Sequence, residues 1–249
     1  MRIDHPTQIP PLRQLWKQAF GDGDAFLDHY FSTAYAPDRC LCANEGDALA
    51  AALYWLDCEV DGRKIAYIYA VATEAEFRGR GICHKLMAKT HEILKNQGYS
   101  GTILVPGEPA LEDFYAPMGY RSCTEIREVV CARGPEPAAL RPIDGAEYAR
   151  LRRELLPENA VIQEGASLSF LATQAEFYAG THWLLAARRE GECLYGLELL
   201  GDITAAPGIL TALGCAQGQF RTPGPGRPFA MYRPLDAAPA PAYFAFAFD

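Results

Sequence analysis

Arg78, Gly79, Arg80 and Gly81 place two cations and two residues without a Cβ in four consecutive positions. Before them, Tyr67–Ala72 is apolar and rich in aromatic and β-branched residues, with the length of a buried strand. After them, Ile82, Cys83, Leu86, Met87, Ile93 and Leu94 fall on one helical stripe, and Gly98 offers a stop. A glycine loop that opens a helix leaves backbone N–H groups unpaired at the helix start. Together with the positive end of the helix dipole they suit a phosphate. Gly79 and Gly81 would also let a ligand come close to the main chain. Residues 77–95 carry Arg78, Arg80, Lys85, Lys89 and Lys95 against Glu92, in a chain of formal net charge −8. A cationic island in an acidic chain points to an anionic ligand, although a solvated basic helix face gives the same run.

Other side chains able to do chemistry lie around this stretch. Tyr115 follows Phe114 and is either a core aromatic or a phenol that holds its proton at neutral pH. Asp57, Glu59, Glu108 and Glu112 are available carboxylates, each with the alternative of a plain surface position. Tyr67 and Tyr69 are two apart on the strand and share a face, in a pocket or under a helix. His84 follows the loop and reads equally well as a solvent-facing helix residue.

The elements that position these groups follow from pattern. Ile9–Phe20 reads as a helix with Pro10 and Pro11 at its start, and a second helix carries Phe26, Leu27, Tyr30, Phe31 and Ala34 on one side. Strands are expected at Arg39–Asn44 and Leu49–Leu56. Asp61-Gly62 is a two-residue hairpin turn joining Cys58–Val60 to the strand that ends at Ala72. Thr102–Val105 reads as a short strand. A helix starting at Pro109 carries Leu111, Phe114, Tyr115 and Met118 and is cut short by Pro117. Tyr120–Ala132 reads as a long strand. These elements make a first domain of 1–132, and the Gly/Pro run 133–142 reads as a linker. Within 143–249, helices are expected at Ile143–Leu156 and Leu168–Tyr178 and strands at Trp183–Ala187 and Cys193–Leu200. A short helix near Ile209–Leu213, a loop over Gly218–Pro228 and strands at Phe229–Tyr232 and Tyr243–Phe248 follow. The helix–helix–hairpin order of the first half is thus repeated.

Size and composition bound the function. Apolar content of 49% and charged content of 22% are those of a soluble globular protein with a core of normal size. The first residues carry no apolar signal region and no run could span a bilayer, so a cytoplasmic location is the expectation. The eight cysteines form no C-x-x-C pair or zinc-like spacing, so reduced thiols and no metal are expected. The acidic balance argues against nucleic acid and is compatible with a cationic substrate.

Arg78-Gly79-Arg80-Gly81-Ile82-Cys83 resembles the R/Q-x-x-G-x-G/A acetyl-CoA loop of the GNAT acetyltransferase superfamily. Ala70-Val71-Ala72-Thr73 resembles the strand leading into that loop. Phe114-Tyr115-Ala116-Pro117-Met118-Gly119-Tyr120 resembles the family's F-Y-x-x-x-G-F/Y signature, in the family's order. The resemblance is good over 40–132 and loose in the N-terminal helices. It departs at Cys83, where the family has Gly or Ala. It implies an α/β GNAT fold, a mixed and mostly antiparallel sheet flanked by helices, followed by a smaller, degenerate GNAT-like domain without the loop. It implies acetyl-CoA as co-substrate, bound by Val71, Ala72, Thr73 and the loop Arg78, Gly79, Arg80, Gly81, Ile82 and Cys83. Pantetheine would enter between splayed strands, and N–H groups near Val71 and Ala72 would polarise the thioester. Tyr115 becomes the acid for the leaving thiolate. The implied reaction is N-acetylation of a primary amine, on a small molecule or a peptide. The alternatives are a non-catalytic acyl-CoA-binding or regulatory module, and an aminoacyl or thiol-directed acyltransferase of tandem type. In some tandem relatives the terminal carboxylate reaches the active site, a role open here to Asp249.

Overall fold

The computed structural model describes residues 1–247 of the 249. Two compact units divide the chain: Met1–Arg121 with Met231–Ala240, and Ser122–Ala230 with the described residues from Pro241 on.

In the first unit, β1 (Arg2–Asp4) precedes two helices, α1 (Pro10–Phe20) and α2 (Asp24–Thr33). Pro10 and Pro11 occupy the first positions of α1, where a missing N–H costs nothing, and Gly21 closes it at φ 76°. β2 (Cys40–Glu45) and β3 (Ala48–Val60) follow. The sequence suggests two segments around Asp57, and the chain makes one long strand. Ala50–Leu56 is buried on both faces, so it lacks the alternation of a one-sided strand, and sheet packing overrides the helical preference of its alanines. Asp61 and Gly62, both at positive φ, make the expected tight turn into β4 (Arg63–Thr73). Then come α3 (Ile82–Asn96), β5 (Gly101–Leu104) and α4 (Ala110–Tyr115), which runs into a 3-10 turn at Ala116–Met118. The sheet order is β1-β2-β3-β4-β5, with Met231–Pro234 added beyond β5. Pairing is antiparallel except for β4 with β5. Leu86, Met87 and Leu94 of α3 pack with Leu53, Trp55 and Ile68 in the core.

The second unit is built from β6 (Arg121–Ala132), whose first residue falls in the first unit, β7 (Arg141–Ile143), α5 (Gly145–Leu155), α6 (Ala166–Leu171) and β8 (Glu176–Ala179). β9 (Trp183–Glu190), β10 (Cys193–Gly201), α7 (Ala206–Ala212) and β11 (Gln217–Pro234) complete it, the last four residues of β11 belonging to the first unit. Its sheet runs β7-β8-β9-β10-β11, with β6 also on β11. Only β10 and β11 are parallel along that order. From β7 to β11 the succession of elements matches that from β1 to β5, and in both the fourth and fifth strands are parallel across a helix.

Three expected elements of this half, at 168–178, 218–228 and 243–248, differ from the sequence reading. The expected helix Leu168–Tyr178 stops at Leu171, and Glu176–Ala179 is a strand whose buried Phe177 and Ala179 alternate with Tyr178. The Gly/Pro run Gly218–Pro228 is strand and not loop. A Cβ at Gly226 would lie 2.1 Å from the Ile126 carbonyl oxygen, and one at Gly218 would lie 2.9 Å from that of Leu194, so these glycines serve close strand approach. The run 133–142 is bonded to α7: Gly134 and Ala138 donate to the carbonyls of Pro207 and Gly208, both at 2.9 Å. Of the expected strand Tyr243–Phe248, Tyr243 makes an isolated bridge to Ala160 and 244–247 are irregular; Phe248 and Asp249 lie outside the described residues.

Candidate functional site

β4 and β5 pair only from Ile65↔Gly101 to Tyr67↔Ile103. Beyond Tyr67 they part, while the other edge of β5 stays paired with β11 as far as Leu104↔Met231. On its other edge β4 loses register with β3 between Tyr69 and Ala72, so Ala70 and Val71 fall outside the ladder. Ala70 sits at φ 48°. A left-handed alanine costs about 1–2 kcal/mol, and such strain persists where the surrounding fold imposes it. The bulge turns main-chain N–H groups out of the ladder at the place where the strands separate.

A 3-10 turn at Ala75–Phe77 leads from β4 into the loop. Gly79 and Gly81 have φ of 74° and 71°, and a Cβ at either would meet no atom within 4 Å. Backbone conformation, not crowding within the protein, is therefore what requires glycine there. Gly81 is the N-cap of α3 and supplies no side chain, so no side-chain bond takes up the first N–H groups of the helix. Arg78 Nε donates to the Thr73 carbonyl at 3.1 Å, and Arg80 Nη2 to that of Glu76 at 2.8 Å. The Arg80 guanidinium also lies 5.2 Å from the Phe77 ring centre. Both arginines thus brace the loop while adding positive charge beside it.

A cavity of about 740 Å³ opens where loop and splayed strands meet. Val71, Ala72, Thr73, Arg78, Gly79, Gly81, Ile82, Cys83 and Tyr115 all line it. Of Tyr115 and the residues expected to bind the carrier, Arg80 alone is not on the wall. Tyr115, at the end of α4, packs its ring against Phe114 and Tyr120 at 5.2 and 5.8 Å between centres. Burial, with a smaller contribution from Cys83, pushes its phenol well above the ordinary range. Burial also pushes the Cys83 thiol up to about 11, against a lowering hydrogen bond with Thr73.

The wall extends beyond the loop and Tyr115. Phe20, 47% exposed at the end of α1, belongs to it, as do Leu111 and Phe114 of α4. His84 is there too, its ring 5.1 Å from that of Phe114, and so is Glu108. Asp57, Glu59 and Glu112 are not among the lining residues. Asp57 is held by Arg39 Nη2 at 2.7 Å and by the Tyr99 hydroxyl. Partial burial raises its carboxyl, and these bonds together outweigh that and keep it below the usual range. Tyr69 lies under the N-terminal helices, 5.4 Å from Trp16 and 5.7 Å from Tyr30 between ring centres. Among the described residues, no three His, Cys, Asp or Glu side chains are grouped to hold a metal, and no helix is long and apolar enough to cross a membrane.

Behind Tyr115 runs a buried chain of hydrogen bonds. Arg233 Nη1 lies 2.5 Å from His91 Nδ1, and His91 Nε2 lies 3.0 Å from the Tyr120 hydroxyl. That hydroxyl is 2.8 Å from Thr102 Oγ1. A guanidinium only donates, so Nδ1 accepts and Nε2 carries the proton that His91 gives to Tyr120, which leaves the Tyr120 proton for Thr102. Burial and then the Arg233 charge lower the His91 pKa from 6.5 to about 3. The unfolded chain therefore takes up the proton first. The stability from neutral His91 is complete above pH 6.5 and is lost as pH falls from there toward 3. At pH 5 the loss is about 2 kcal/mol, a fall in Tm of roughly 4–8 °C from pH 7. Thermal melts of wild type and His91→Gln at the two pH values check this: the variant should lose that part of the slope.

Residues 4–123 match the family model described as an acetyltransferase (GNAT) domain. No curated protein gives a significant match. Among solved structures, the GCN5-related N-acetyltransferase of Anabaena variabilis ATCC 29413 is 14% identical, covers 94% of this chain and 73% of its own, and superposes with a TM-score of 0.74. That of Kribbella flavida is 18% identical, with 95% and 71% covered and a TM-score of 0.73. Eis1 of Mycobacterium abscessus is 12% identical, with 95% and 74% covered and a TM-score of 0.69. The shared feature is the fold, a mostly antiparallel mixed sheet flanked by helices.

Proposed function

We propose that this protein is an acyltransferase that moves the acetyl group of acetyl-CoA to a primary amine by direct transfer. One observation carries the reading: a glycine loop with positive φ at Gly79 and Gly81, an uncapped α3, the bulge at Ala70–Val71 and a phenol all border one cavity. The residues fit the carrier. N–H groups from Gly79 to Cys83 and the positive helix end would hold the diphosphate, and the gap between β4 and β5 admits the pantetheine arm as an added strand. Cys83 retains its main-chain N–H at the position where related loops have a smaller residue.

N–H groups at the bulge would stabilise the oxyanion that develops on the thioester carbonyl. The attacking amine must be neutral; it forms the new C–N bond as the C–S bond breaks, and the proton it loses balances the one gained by the thiolate. His84 and Glu108 are the lining residues with basic atoms for the first proton. Tyr115 faces the second task. Its raised pKa keeps the phenol protonated, so it donates a hydrogen bond to the departing sulfur without ionising beforehand.

Under the same proposal the second unit is a degenerate copy that leaves the carrier to the first. The repeated element order supports this. So does the turn before α7, where the Asp202 carboxylate accepts from Thr204 N at 2.9 Å and puts negative charge where a phosphate would need N–H donors.

The test is CoA-thiol release from acetyl-CoA across a panel of amines, run beside a thermal shift with CoA. Release with at least one amine is expected; a shift without release would favour a binding module. Gly81→Val forces a β-branched residue to φ near 71° and should raise the CoA dissociation constant roughly 5- to 30-fold, from about 1–2 kcal/mol of loop strain. Calorimetry would read this; unchanged affinity would remove the loop from the carrier site.

A further inference from the structure

We infer that Arg233 is a positioning residue for the Tyr115 segment. This residue lies in the first unit near the end of strand β11, far in sequence from the motifs it serves. Its Nη1 atom donates to two acceptors, the Met118 carbonyl at 2.7 Å and His91 Nδ1 at 2.5 Å. Met118 ends the helical segment that carries Tyr115, and Gly119 follows at φ 92° with the Arg233 Cδ and Nε atoms 3.5 Å from where its Cβ would stand. Tyr120, whose ring packs on Tyr115, is fixed by the hydroxyl bond from His91. Arg233 therefore ties down the far end of the segment directly, and through His91 it sets the tautomer that anchors the residue supporting the Tyr115 ring. The Tyr115 ring itself is packed at the cavity wall, so its aim depends on the segment beneath it. Residues 1–132, which contain every motif of the loop and the Tyr115 segment, lack this fastening.

Both acceptors take their proton from one nitrogen atom, a duty that a single ammonium can perform. This makes lysine the conservative replacement and methionine the disabling one, since methionine keeps the stem that covers Gly119 and removes the donor. Loss of the donor acts on the segment and leaves the carrier loop untouched.

The experiment compares full-length wild type, Arg233→Met and Arg233→Lys. The kinetic readout rests on the proposed transfer; the second readout, amide hydrogen exchange, does not. In Arg233→Met, kcat should fall at least about tenfold while KM for acetyl-CoA stays within about twofold, because a small misplacement of a reacting group is costly. Exchange should quicken in 110–119 and remain at the wild-type rate in 78–96. Arg233→Lys should stay within about threefold of wild type in kcat and keep the protection of 110–119. Unchanged exchange at 110–119 in Arg233→Met, exchange quickened throughout the unit, or a lysine variant as impaired as the methionine variant would each overturn the inference. If wild type transfers acetyl to no amine but Arg233→Met selectively exposes 110–119, the positioning role stands and the proposed reaction falls. If transfer proceeds and the methionine variant matches wild type in both readouts, the reverse holds.

Discussion

Tyr115→Phe is expected to lower turnover about 100-fold while CoA affinity stays within about twofold, the usual scale for loss of a general acid. The substitution removes one hydroxyl and keeps the ring that packs on Phe114 and Tyr120. Stability should therefore change little, and the defect should sit in kcat. The phenol is held above its ordinary range mainly by burial, so its ionisation should not limit activity on the alkaline side below about pH 10. A pH–rate profile with wild type and variant side by side checks both points. Equal turnover in the variant would take Tyr115 out of the mechanism.

The largest stability effect is expected in the second unit, from Glu198→Ala. Arg152 and Glu198 are buried together, with Nε–Oε2 at 2.7 Å and Nη2–Oε1 at 2.9 Å. Tyr148 donates a third bond to the carboxylate at 2.7 Å, and the guanidinium also reaches the Val161 carbonyl and lies 4.3 Å from the Phe246 ring centre. Burial alone would lower the Arg152 pKa, and the carboxylate beside it outweighs burial and raises it, so this arginine stays charged. Removing Glu198 leaves that charge buried without its partner, at a cost of about 3–5 kcal/mol. Replacing both, Arg152→Met with Glu198→Leu, should cost much less, chiefly the lost bond of Tyr148 at about 1–3 kcal/mol. Urea melts of the two variants test the contrast. A Glu198→Ala protein within about 1 kcal/mol of wild type would mean that water or another group reaches Arg152.

The strand–loop–helix at Tyr67–Asn96 was legible because its signals are local. Glycines, cations and a helical stripe lie within thirty residues and need no distant partner to be understood. Tyr115 was legible through its motif for the same reason. The bulge at Ala70 was not, since alanine gives no warning of a left-handed backbone. β11 was hidden by its own composition: Gly218 and Gly226 look like loop residues until the neighbouring carbonyls are in place. Leu168–Tyr178 mixes two periods, and Phe177 takes its strand conformation from β7 and β9. Arg152 sits in a helix whose Arg-Leu-Arg-Arg-Glu run reads as surface, and its partner is on a distant strand, next to the irregularity between Gly196 and Glu198. Arg233 carries no motif at all. What local pattern reveals is the glycine loop and the phenol; what tertiary pairing adds is the hardware that holds them in place.

The most direct measurement is a crystal structure with CoA bound. The diphosphate oxygens should lie about 3 Å from main-chain N–H groups between Gly79 and Cys83, with the pantetheine between β4 and β5 and the sulfur beside Tyr115. A diphosphate bound elsewhere, with the bend at Arg78–Cys83 empty, would contradict the assignment of this site.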